Sequence, residues 1–85
     1  MATGSQNIAI GMDAVRDITD ASYNIGIGTY ALSANTSGNY NLAIGYRAMA
    51  GTGTGDYNSA YGYDALRSLT SGASNIGIGK DAGTK

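Results

Sequence analysis

Asn41-Leu42-Ala43-Ile44-Gly45-Tyr46-Arg47-Ala48-Met49 decides how this chain folds, because four other segments copy it. Asn7-Ile-Ala-Ile-Gly11, Asn24-Ile-Gly-Ile-Gly28, Asn58-Ser-Ala-Tyr-Gly62 and Asn75-Ile-Gly-Ile-Gly79 repeat its first half. An alanine follows three residues after each glycine, at Ala14, Ala31, Ala48, Ala65 and Ala82. The motif asparagines Asn7, Asn24, Asn41, Asn58 and Asn75 are spaced by 17 residues without insertion or deletion, and five such units account for all 85 residues. A period that never slips is the signature of stacked structural repeats.

Within each unit the motif alternates aliphatic and small residues with period 2, as a short strand does. Ile8 and Ile10 share one face and Ala9 takes the other; Ile25/Ile27, Leu42/Ile44 and Ile76/Ile78 repeat the arrangement. Segments such as Asn35-Thr-Ser-Gly-Asn39 carry turn chemistry, since Gly permits positive φ and Asn tolerates it. A second short strand is expected around residues 46–49 and 63–66 and their copies, with a helical turn as the competing reading. A strand of four or five residues bearing two apolar side chains has no independent stability in water. Winding each unit into one coil, and stacking coils about 4.8 Å apart, pairs every strand with its copies above and below.

The fold expected is therefore all-β: a parallel β-solenoid, or β-roll, of five 17-residue coils in one domain (units 1–17, 18–34, 35–51, 52–68 and 69–85). The aliphatic ladders Ile8/Ile10, Ile25/Ile27, Leu42/Ile44 and Ile76/Ile78 are expected to fill the coil core. The asparagine column is expected to form an amide ladder. The glycine column (Gly11, Gly28, Gly45, Gly62 and Gly79) is expected where the backbone turns tightly or nears a neighbour. The other strand face holds only Ala9, Gly26, Ala43, Ala60 and Gly77, so it is expected to pack against a sister chain as a subunit interface. Val15, Leu32, Met49 and Leu66 supply a further apolar ladder, read as a second reason to oligomerise.

Composition narrows the function. His, Cys, Trp, Phe and Pro are all absent, which removes the commonest general base, nucleophile and metal ligands. Five equal units also argue against an enzyme, because catalysis needs one irregular constellation. No catalytic, cofactor-binding or metal site is expected. A net charge of −1 with scattered charges offers no stripe for nucleic acid. No apolar run reaches the length of a membrane span, so no membrane insertion is expected. Asp13, Asp64 and Asp81 recur at one unit position, read as a solvated outer face rather than a cation site. Tyr23, Tyr40 and Tyr57 are expected to stack as an aromatic column. Tyr46, Tyr61 and Tyr63 form the candidate surface-contact patch. Thr19, Thr36 and Thr70 would align into a partial ladder interrupted by Ala2 and Gly53.

The motif Asn-x-Ala-Ile-Gly-x-x-Ala, at Asn41–Ala48 and its copies, resembles the head repeat of trimeric autotransporter adhesins of the YadA type. Together with the Asn-Thr-Ser-Gly-Asn segment at residues 35–39, it is also similar to repeats of phage tail-fibre proteins. The resemblance implies a left-handed parallel β-roll assembled as a homotrimer, a segment of a longer fibre, on a virion or a bacterial cell surface. It implies a structural shaft, extracellular, that presents or contributes to attachment to a host receptor or glycan. Two further classes remain open. One is a filament of solenoid units stacked end to end. The other is a host-binding module centred where Ser59, Tyr61 and Gly83 break the ladders.

Overall fold

The computed structural model describes residues 6–17, 20–51, 53–68 and 72–83. Each repeat contributes one three-residue strand: β1 (Ile8–Ile10), β2 (Ile25–Ile27), β3 (Leu42–Ile44), β4 (Ser59–Tyr61) and β5 (Ile76–Ile78). They form one parallel sheet in the order β1-β2-β3-β4-β5. The register is one repeat per rung, with Ile10 beside Ile27, Ile27 beside Ile44, and Tyr61 between Ile44 and Ile78. This is the expected β-solenoid, and the described residues include no helix.

The ladder continues past both ends of each strand. Leu42 N–H donates to the Asn58 carbonyl at 2.9 Å, and Gly62 N–H to the Ile44 carbonyl at 2.8 Å. Further round the coil, Arg47 N–H donates to Thr29 O and Met49 N–H to Ala65 O, both at 2.9 Å. Backbone donors and acceptors that a lone coil would leave open are thus met by its neighbours.

The expected second strand is absent. Its residues form two successive tight turns, as in Gly45–Ala48 (Ala48 N–H to Gly45 O, 3.2 Å) and residues 47–50 (Ala50 N–H to Arg47 O, 3.1 Å). The third residue of each turn has positive φ, Arg47 at 56° and Met49 at 53°, the mark of a type II turn. Left-handed backbone at Met49 resolves a conflict in the strand reading. Two adjacent residues of a strand point to opposite faces, yet Ala48 and Met49 are both fully buried.

The two strand faces are the reverse of those expected. The interior is filled by Val15, Leu32, Met49 and Leu66 together with the recurring alanines. Opposite them lie Gly26, Ala43, Ala60 and Gly77, all buried; Ala9 in the first coil is exposed. A Cβ built on Gly26 would stand 2.7 Å from Val15 Cγ2, and one on Gly77 would stand 2.8 Å from Leu66 Cγ. The small-residue column is small because the apolar column of the preceding coil reaches it, not because a sister chain does. The molecule's shortest extent is 15 Å, which leaves room for one layer of large side chains. That layer comes from the turn. The residues expected as coil core, Ile8, Ile10, Ile25, Ile27, Leu42, Ile44, Ile76 and Ile78, consequently point outward and are half-buried or exposed.

Candidate interaction face

The asparagine column fixes how one coil sits on the next. The N–H groups of Asn24, Asn41, Asn58 and Asn75 donate to the Oδ1 of the preceding asparagine at 3.0, 2.9, 2.9 and 2.8 Å. The Nδ2 groups of Asn24, Asn41 and Asn58 donate forward to the Gly38, Gly55 and Gly72 carbonyls at 2.9, 2.7 and 2.8 Å. Each side chain therefore ties its coil mainly to neighbouring backbone. Amide-to-amide bonds occur at Asn24–Asn7, 3.1 Å, and Asn75–Asn58, 3.2 Å. A second column runs the opposite way: Asn39 Oδ1 accepts from Ser22 N–H, and Asp56 Oδ1 from Asn39 N–H, both at 2.7 Å.

The glycine that closes each strand has φ between 115° and 137°. A Cβ at Gly45 would stand 2.5 Å from the Gly62 carbonyl oxygen, so the close approach of coils excludes any side chain there. The same holds at Gly11, Gly28 and Gly62, while Gly79 in the last coil meets nothing.

This interior order leaves one face apolar. Every large hydrophobic side chain that is exposed among the described residues falls in one of four columns two residues apart. Unit positions 8 and 10 hold Ile8, Leu42 and Ile76 beside Ile10, Tyr61 and Ile78. Positions 6 and 12 flank them with Tyr23, Tyr40 and Tyr57 on one side and Met12, Tyr46 and Tyr63 on the other. Lys80 is the one charged residue in these columns. The other described charges lie on different parts of the coil, at Asp13, Arg16, Asp17, Asp20, Asp56 and Asp81 and in the cluster of Arg47, Asp64 and Arg67. An exposed apolar surface this continuous is the usual mark of an interaction site.

The tyrosines are ordered by the stacking. Tyr23, Tyr40 and Tyr57 form the expected aromatic column, with ring centroids 5.0 and 4.9 Å apart and planes within 5°. Tyr46 and Tyr63 stack at 5.2 Å, and Tyr30 meets Tyr46 edge-on at 6.4 Å. Of the candidate contact residues, Tyr46 and Tyr63 are neighbours, while Tyr61 stands in the next column and is 62% exposed.

Of the carboxylates expected on a solvated face, Asp64 departs from the expectation and Asp81 meets it. Asp64 is buried and paired with Arg47 of the preceding coil. The Arg47 guanidinium also lies over the Tyr46 ring, 4.9 Å from its centroid. Desolvation opposes the Arg47 charge, but the hydrogen bond and charge of Asp64 outweigh it, aided by Tyr63 and Tyr46. The guanidinium pKa is raised above its ordinary value. Asp81, in the same column, is half exposed beside Lys80. Thr19 and Thr70 of the threonine ladder lie outside the described residues.

Sequence reading found the columns but missed the true core, Val15, Leu32, Met49 and Leu66. The available signal was complementarity: where one column holds only Ala or Gly, the column that varies in size lies across from it.

Among the described residues no three acidic, Cys or His side chains come within reach of one metal ion, and no enclosed pocket is present. No protein-family model, curated protein or solved structure matches the chain.

Proposed function

We propose that this chain is a shaft segment of a homotrimeric extracellular fibre, of the phage tail-fibre or bacterial adhesin kind, whose apolar sheet faces meet at the centre. The observation that carries the proposal is the confinement of the exposed large hydrophobic side chains, among the described residues, to four adjoining columns. The six tyrosines among them, roughly half exposed at about 150–250 Å² each, offer about 600 Å². The aliphatic residues bring the face to the order of 800 Å², what each partner of a standard interface contributes. A face almost free of charge suits contact with its own copy, because a symmetric assembly places identical residues together and would crowd like charges. Resemblance of the repeat to trimeric adhesin heads and phage fibres supports the number of chains and the surface location.

In this reading the coil supplies stiffness and the assembly supplies attachment. Parallel rungs bonded along their whole contour resist bending and leave little backbone accessible to proteases. Tyr46 and Tyr63, with Arg47 over them, lie at the rim of the apolar face, where a host receptor or glycan has access.

Native mass measurement on the full chain tests the proposal. Three chains support the shaft, an open-ended ladder of sizes supports an end-to-end filament, and a stable monomer overturns both.

A further inference from the structure

The strand face is aliphatic in four coils and different in one. In β4, Ser59 lies between Leu42 and Ile76, and Tyr61 lies between Ile44 and Ile78. The coil interior does not cause this exception, since Ala60 between them is buried like its counterparts. Ser59 is half-buried and Tyr61 mostly exposed, both on the outward side. The substitution exchanges two medium side chains for one small and one large, adding a hydroxyl to each.

A uniform aliphatic face has an ambiguity built into it. Sliding one copy along another by one coil, about 4.8 Å, sets aliphatic residues against aliphatic residues again. Repetition alone therefore leaves axial alignment unspecified, as in any sheet or coil of equivalent contacts. One polar, differently shaped layer removes the degeneracy, as a single buried polar position does in helical coils.

We infer that Ser59 and Tyr61 form a register key between copies of this chain: the Tyr61 ring of one copy seats in the space left at Ser59 of the next. The inference rests on the assembly proposed above. In the aligned arrangement each hydroxyl meets another hydroxyl around the axis. In an arrangement slipped by one coil, Tyr61 collides with a full aliphatic column, and the Ser59 hydroxyl faces carbon with no hydrogen-bond partner. The occupant of the face is thus a second copy in one alignment only, closing the ring.

Two variants test the key. Ser59→Ile/Tyr61→Ile makes all five coils alike on this face. It is expected to assemble with staggered copies, whose overhanging faces recruit more chains, so native mass spreads from a single closed species to a ladder. The second variant moves the key to the third coil with Leu42→Ser, Ile44→Tyr, Ser59→Leu and Tyr61→Ile, and is mixed with the ¹⁵N-labelled parent after unfolding and refolding together. It is expected to form closed species with itself, and to form mixed species of that closed size several-fold below the statistical proportion, because matching the two keys staggers the copies by one coil. A single closed species from the first variant, or statistical mixing with the second, overturns the key while leaving the assembly intact. A monomeric parent overturns both the key and the assembly.

Discussion

Arg47 holds Asp64 across a coil boundary, with Nε 2.9 Å from one carboxylate oxygen and Nη2 3.1 Å from the other. The Asp64 side chain is 7% exposed and the Arg47 side chain 34%. Asp64→Asn keeps the shape and removes the charge, leaving Arg47 part-covered without its counter-ion. Urea unfolding is expected to show a lower midpoint for Asp64→Asn than for Asp81→Asn, made at the same unit position where the carboxylate is 51% exposed. Equal midpoints would show the pair to be as weak as an ordinary surface contact.

Asn41 is fully enclosed and makes three hydrogen bonds to neighbouring coils. Its own N–H reaches Asn24, its Oδ1 accepts from Asn58 N–H, and its Nδ2 donates to Gly55 O. Asn41→Ala leaves the Asn58 N–H and the Gly55 carbonyl buried without partners, at about 1–3 kcal/mol each. Amide hydrogen exchange at Asn58 is expected to accelerate along with the loss in stability. Unchanged protection at Asn58 would mean that the side chain does not hold the coil junction.

The reversal of the strand faces separates two neighbouring substitutions. Ala43→Leu adds bulk inside a filled coil and is expected to destabilise the fold itself, by about 1–3 kcal/mol. Ile44→Lys places charge on the outward face and is expected to leave the far-ultraviolet circular dichroism unchanged while abolishing assembly. Native mass and circular dichroism recorded on both variants give opposite patterns. If Ala43→Leu keeps its fold and loses only assembly, the interior assignment fails.

Val15 is a β-branched residue at φ 50°, in the left-handed region that such residues rarely adopt. The equivalent position in other coils holds Leu32 and Leu66, and Leu66 already packs over a glycine, Gly77, as Val15 does over Gly26. Val15→Leu adds one buried methylene and relieves the branched χ1, so it is expected to stabilise by about 1 kcal/mol. Thermal unfolding read by circular dichroism checks the sign. A lower midpoint would mean that the first coil has no space for the larger side chain.

The repeat length, strand positions and alignment of the columns were all legible in the sequence, because a spacing of 17 admits one register and Asn-x-x-x-Gly marks the same place in each unit. What the sequence left ambiguous was direction. Alternation along Leu42, Ala43 and Ile44 tells which residues share a face but not which face is inside. Hydrophobicity favours burying the larger pair, and in a wide coil it would succeed. Here the left-handed backbone at Leu32, Met49 and Leu66 brings a second apolar column into the same narrow space. Nothing in a leucine or methionine announces positive φ, so the turns were read as a strand. The nearness of Arg47 to Asp64 follows from the same column alignment, since both hold one unit position in successive coils; the burial of Asp64 does not.

The unbroken asparagine column also governs which changes of length the chain tolerates. Each amide is a spacer bar cut for one contour, so adding or removing a complete 17-residue module returns every later bond to an equivalent partner. An insertion of a single residue has no such remedy, since it offsets all the rungs that follow. The molecule is thereby a ruler with whole divisions only, lengthened or shortened by about 4.8 Å at a time.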